Sequence, residues 1–290
     1  MHRAGRLVEG VTVIVVVGGT GRVGRQVVSQ LAARGLPVRA VSRGLNPGSL
    51  PPAVEAVRAD LADPGSLEPH LKGAQSMFLL WPFTSAELTA GLAPKVAEMA
   101  ARHVARVVYL SAQPAADQPD SFWALVEHAI EESGIEWTFL RPSGFAANTL
   151  MWAHQIRSGN VVRWPFGAAR RALIDERDIA SVAVRALTED GHAGARYVLS
   201  GPEVLTQAGQ LAAIGDAIGR DLTWEELPKD AALEALTAAW GDRAFAETAV
   251  DAWEWFVDHP ETVSPEVRAI TGAPARSFAD WAADNAAEFS

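Results

Sequence analysis

The 290-residue chain has no cysteine, which excludes disulfides, thiolate metal sites and a cysteine nucleophile. It has two tyrosines against ten tryptophans, seven of the latter after residue 150. Positive charge is also in short supply: 25 Lys and Arg stand against 35 Asp and Glu, a net charge of −10. No basic stretch offers a nucleic-acid backbone the clustered cations it needs. No apolar run approaches the length of a membrane span. The run at residues 11–17 follows a charged stretch and reads as a strand, not as the core of a signal peptide, so a cytoplasmic protein is expected. The length suits one large α/β fold with an elaborated C-terminal part.

What the chain does have is glycine in a telling place. Val11, Thr12, Val13, Ile14, Val15, Val16 and Val17 form an unbroken β-branched run that stops at Gly18-Gly19-Thr20-Gly21-Arg22-Val23-Gly24. Apolar character without alternation marks a strand covered on both faces, as in parallel sheets sandwiched by helices. The spacing Gly19-x-Gly21-x-x-Gly24 matches the dinucleotide fingerprint, in which glycines supply a tight turn, bare backbone beside a pyrophosphate, and close helix packing. The first N–H groups of a helix at residues 22–34 would then face the phosphates, aided by the helix dipole.

A second strand, Pro37 through Val41, completes the β-α-β unit the motif requires. At its tip an NAD-binding domain carries an acidic residue for the ribose 2′-hydroxyl. This chain has Ser42-Arg43 there. A planar cation welcomes a 2′-phosphate where a carboxylate would repel it, so NADP(H) is the expected cofactor, with Arg22 as a second phosphate contact.

Strands and helices then alternate. A Pro/Gly loop with Asn46-Pro47-Gly48 leads to a strand at residues 54–59. Asp63 is expected to cap a helix that Pro64 opens and that ends at Leu71. Strands are read at residues 76–81 and 105–110, helices at 85–103 and around Glu127, another strand at 135–140, and a later helix from Asn148 to Ser158. This pattern predicts a doubly wound parallel sheet. Ligands lie outside the carboxyl ends of such strands, which aligns Gly18, Thr20, Gly21, Val23 and Gly24 with Ser42-Arg43, Asp60-Leu61, Leu80-Trp81-Pro82 and Ser111 along one crevice.

A broader resemblance is carried by Gly18-x-x-Gly21-x-x-Gly24, Glu127, the run from Ser133 through Pro142, Phe145 with Asn148, Ile174 through Ala180, Tyr197 through Glu203, and the tail from Ile270 to Trp281. In these residues the chain resembles the NmrA-like branch of atypical short-chain dehydrogenases. The resemblance implies a Rossmann core over residues 1–145 and a mixed segment, 146–290, that completes the sheet and forms a smaller, mostly helical substrate lobe. It also implies either an NADPH-dependent reductase of a small aromatic, quinone-like or imine substrate, or a non-catalytic redox-sensing regulator. The main dehydrogenase family works with a Tyr-x-x-x-Lys pair; aligned on Glu127, those positions hold Pro119 and Trp123. The proton must then come from elsewhere, with Ser111, Gln113, Asn148 and His154 as candidates.

The later aromatics, Trp152, Trp164, Phe166, Trp240, Trp253, Trp255 and Phe256, would suit the walls of a flat apolar site or ordinary core packing. Asp175, Glu176 and Asp178 sit where a helix begins and read as dipole and cap residues, not metal ligands. The histidines show no ligand spacing, so no metal is expected. The expected partner is a small apolar or aromatic substrate, without nucleic acid or membrane; a homodimer is compatible with the sequence.

Overall fold

The computed structural model describes residues 13–44 and 50–290. Val11, Thr12, the charged stretch before them and the Asn46-Pro47-Gly48 turn lie outside the described residues. The chain divides into two compact units, and it passes between them more than once. One comprises the described residues up to Arg141 together with Ala180–Tyr197; the other comprises Pro142–Ile179 and Val198–Ser290.

The first unit carries a sheet whose strands are β1 (Val13–Val17), β2 (Val38–Ser42), β3 (Glu55–Arg58), β4 (Ala74–Leu80), β5 (Arg106–Leu110), β6 (Glu136–Pro142) and β9 (Ala195–Leu199), the last two running to the division between units. Their order is β3-β2-β1-β4-β5-β6-β9, and the five pairings from β3 to β6 are parallel. Parallel neighbours need crossovers, supplied by α1 (Arg22–Ala33), α2 (Glu68–Leu71), α3 (Ala86–His103), α4 (Phe122–Glu132) and α6 (Glu176–Thr188). The β-branched run explains β1: Val15 and Val16 are wholly buried, and each such side chain contributes about 1.5–3 kcal/mol relative to exposure. Strand order reverses at β1, flanked by β2 and β4, which is where a doubly wound sheet opens a crevice.

Two local expectations fail. Asp63 makes no side-chain cap, and the helix it was to open is a 3-10 turn, Pro64–Ser66, followed by the four-residue α2. Ser66 Oγ takes over the local bonding, accepting from the Asp60 N–H at 2.9 Å and lying 2.7 Å from the Asp63 carbonyl. The helix read from Asn148 to Ser158 is likewise divided, a 3-10 stretch Ala146–Trp152 running into α5 (Ala153–Ser158).

The second unit contains two small sheets that sequence reading does not reveal. β7 (Val161–Trp164) pairs in parallel with β11 (Thr223–Glu226), and β8 (Arg170–Arg171) pairs antiparallel with β10 (Leu205–Thr206). The rest is mainly helical: α7 (Gln207–Ile218), α8 (Lys229–Trp240), α9 (Arg243–Asp258), α10 (Glu266–Thr271) and α11 (Phe278–Asp284). Its core is aromatic. Trp152 meets Trp164 and Trp224 edge-on, and Trp253 contacts both Trp164 and Trp240. Among the described residues no helix is long and apolar enough to cross a membrane.

Candidate cofactor groove and substrate-lobe cavity

The end of β1 is shaped by backbone bonds. The N–H groups of Gly18 and Gly19 both donate to the Val41 carbonyl, at 2.9 and 3.1 Å, and Gly21 N donates to the Gly18 carbonyl at 2.9 Å. Gly18 has φ +80°, a left-handed turn that side chains resist. A Cβ at Gly24 would stand 2.0 Å from the Gly18 carbonyl oxygen, so α1 starts against the loop because residue 24 has no side chain. Its first turn holds no acidic residue and Gly21 provides no side-chain cap. The positive end of the helix is therefore left for an external anion.

From this loop a groove of about 200 Å³ follows the carboxyl ends of the strands. Gly18, Thr20 and Gly21 form one end, Ser42 and Arg43 the tip of β2, and Asp60, Leu61, Leu80 and Pro82 the remaining wall. Thr20 Oγ1 and Ser42 Oγ lie 2.8 Å apart, linking the glycine loop to the β2 tip. The Asp60 carboxylate accepts from the Ala62 N–H at 3.0 Å, which fixes its place after β3. Val17, Val41, Ala59 and Leu67 also line the groove. Sequence reading passed over these apolar walls; Val17, Val41 and Ala59 had a signal in their position, at the carboxyl end of a strand or just beyond it, whereas Leu67, between the 3-10 turn and α2, had none.

Other expected residues stand elsewhere. Trp81 is buried in the core and donates its indole N–H to Thr89 Oγ1 at 2.9 Å, because successive residues of extended chain face opposite sides and Leu80 and Pro82 take the groove. Val23 is buried in the core and Gly24 against the loop, which leaves them only helix-start backbone to offer, while Arg22 is exposed and does not line the groove.

Ser111 is also withdrawn, 3% exposed at the end of β5. Its hydroxyl donates to Glu127 Oε1 at 2.5 Å, and Arg141 Nε donates to the same oxygen at 2.9 Å. That hydrogen bond from Arg141, more than any other influence, holds its guanidinium above the ordinary range. Gln113 opens the 3-10 turn Gln113–Ala116 in the same unit. The hydroxyl of Tyr109 is buried without a hydrogen-bond partner among the described residues, and burial, with Glu127 nearby, pushes its pKa well up. Pro119 lies in the turn ahead of α4, and Trp123 stands within α4 with its ring 4.0 Å from that of Phe122.

The remaining candidates belong to the second unit. Asn148 and Thr149 line a small cavity of about 40 Å³ with Trp152, Arg171, Gln207 and Trp253. His154 is exposed and does not line it. Most of the expected aromatic wall is core; Trp255 is 59% exposed and stacks on His259. The acidic residues are engaged: Glu176 accepts from Ala147 N and the Trp281 indole, and Asp178 accepts from Arg276 N at 2.7 Å.

These residues fit an adenosine dinucleotide carrying a 2′-phosphate: an acid-free helix start beside a glycine turn, an apolar wall, and an arginine at the β2 tip. The chain is similar to several known proteins. A reductase of (4-alkanoyl-5-oxo-2,5-dihydrofuran-3-yl)methyl phosphate from Streptomyces griseus is 37% identical, covering 95% of this chain and 99% of that protein. An NAD(P)H azoreductase from Xenophilus azovorans is 32% identical, covering 95% and 99%. Among solved structures, Citrobacter sp. triphenylmethane reductase complexed with NADP(H) superposes with a TM-score of 0.77 at 18% identity, covering 94% of this chain and 99% of that one. The family model of the NmrA-like family matches residues 11–264, and the chain belongs to that family.

Proposed function

We propose that the protein is an NADPH-dependent reductase of a small aromatic, quinone-like or imine substrate, working without the Tyr-x-x-x-Lys pair. The observation that carries this reading is the β2 tip, where Arg43 lines the groove and Ser42, not a carboxylate, ends the strand. An azo compound and an (alkanoyl-oxo-dihydrofuranyl)methyl phosphate, named for the two relatives, are likewise small unsaturated acceptors, the second carrying a phosphate. Bound NADPH supplies hydride. The chain's own work is to hold the pyrophosphate at Gly18, Gly21 and the start of α1, the 2′-phosphate at Arg43, and the adenine against Val41, Ala59 and Leu61. An acceptor that is already electron-poor needs little acid assistance, which accords with Pro119 and Trp123 in place of the pair.

A second reading, a catalytically silent NADP(H)-binding regulator, draws on Ser111, whose proton is committed to Glu127. An NADPH-oxidation screen against quinones, enones, azo dyes and imines separates the two. Turnover of any class above the uncatalysed rate supports the reductase; tight NADPH binding with no turnover across all classes favours the regulator.

A further inference from the structure

Arg171, in the second unit, is held on three sides. Its Nη2 donates to Glu261 Oε1 at 2.9 Å, Phe256 lies under the guanidinium at 4.2 Å, and a Cβ on Gly144 would come within 2.7 Å of Nη2. Glu261 is itself pinned, its second oxygen accepting from Ala172 N at 2.8 Å. One donor is left over: Arg171 Nε is buried and has no hydrogen-bond partner among the described residues, and neither has the indole Nε1 of Trp152. Both residues line the cavity that Asn148, Gln207 and Trp253 also line. A buried donor without an acceptor is costly, more so on a charged group.

The size and charge of the cavity restrict what it takes. About 40 Å³ has room for a few atoms the size of water, not for a fused ring. Arg171 is the one charged residue on its described wall, and Glu261 offsets that charge. A neutral oxygen acceptor therefore suits it better than a dianion, which would be desolvated without a counter-charge.

We propose that this cavity is an oxygen-acceptor subsite, in which Arg171 Nε and Trp152 Nε1 hydrogen-bond one carbonyl oxygen of the substrate while its ring stays outside. The assignment rests on the reductase reading for the identity of the ligand as substrate.

The test uses the full-length protein with NADP+ bound, so that no turnover occurs, and follows side-chain N–H groups by proton–nitrogen NMR. Trp152→Phe and Arg171→Lys assign the two signals. The probes are menadione, methylnaphthalene (the same ring without carbonyls) and inorganic phosphate; with no cysteine in the chain, the quinone has no thiol to alkylate. Menadione is expected to move both signals, and the hydrocarbon and phosphate to leave them in place. Equal shifts with menadione and methylnaphthalene, or no menadione shift whatever the turnover, overturn the subsite. Shifts with phosphate but not menadione overturn it in favour of an anion site. Menadione shifts combined with no NADPH oxidation by any acceptor leave the subsite standing and defeat the reductase reading instead. In turnover, Arg171→Lys keeps a cation for Glu261 but loses Nε. It should raise the KM for menadione about tenfold or more with the KM for NADPH unchanged, and an unchanged menadione KM counts against the subsite.

Discussion

Arg141 grips Glu127 with two nitrogens, Nε 2.9 Å from Oε1 and Nη2 2.5 Å from Oε2, and Ser111 donates to the same carboxylate. Both side chains are largely buried, at 13% and 6% exposure. Removing one member strands the other charge, which costs about 3–5 kcal/mol in such settings. Glu127→Ala should therefore lower stability in urea by that order, while the double change Glu127→Leu with Arg141→Met should recover much of it. A loss under about 1 kcal/mol for the single variant would show that the pair is solvated in practice.

Cofactor choice should rest on Arg43. A charge-assisted contact contributes about 1.5–3 kcal/mol, so Arg43→Ala should weaken NADPH binding roughly 10- to 100-fold and leave NADH binding nearly unchanged. Titration of wild type and variant with both cofactors measures this, and equal wild-type affinities for the two would sink the assignment.

Two glycines should respond oppositely to the same substitution. Gly24→Ala drives a methyl to within 2.0 Å of the Gly18 carbonyl and should cost about 1–3 kcal/mol of stability along with most cofactor affinity. Gly91→Ala, in α3 with nothing within 4 Å of the new carbon, should stabilise by about 0.5–1 kcal/mol. Thermal melts with and without NADPH check both.

Asp178 should give the protein an unusual acid response. Burial pushes its carboxyl from 3.8 up to about 6, against the Arg276 N–H that favours the anion. In this range the folded state binds more protons than the unfolded one, so this group's effect on stability is absent below about pH 4 and grows unfavourable as pH rises to about 6, then levels. The full cost is about 3 kcal/mol. Asp178→Asn, which keeps an acceptor for Arg276, should gain on wild type by about that amount between pH 4 and 6. A stability difference that does not vary with pH would refute the titration.

The cofactor side of the molecule was readable from neighbours along the chain. The valine run, the glycine spacing, the strand tips and the absence of an acid after β2 all express local conformational preference and short-range periodicity, and Gly18, Thr20, Gly21, Ser42, Arg43, Asp60, Leu61, Leu80 and Pro82 line one groove. Local signals also misled where two partners competed for one role, as when Ser66 displaced Asp63 as the organiser of the turn after β3.

Tertiary structure decided which of the polar and aromatic side chains are available for chemistry. Trp81 follows Leu80 in sequence but belongs to Thr89 and the core. Ser111 stood as a candidate proton source in the sequence, but its hydroxyl donates a hydrogen bond to Glu127, sixteen residues away. Arg171, ninety residues from Glu261, was not singled out at all, and nothing near it in sequence announces its partner. The sequence by itself determined where strands end and glycines turn, because those follow from covalent geometry and the residues alongside. Which buried charges pair and which donors are left over depends on the meeting of distant segments in a low-dielectric interior, where a partner a few ångströms away decides the outcome.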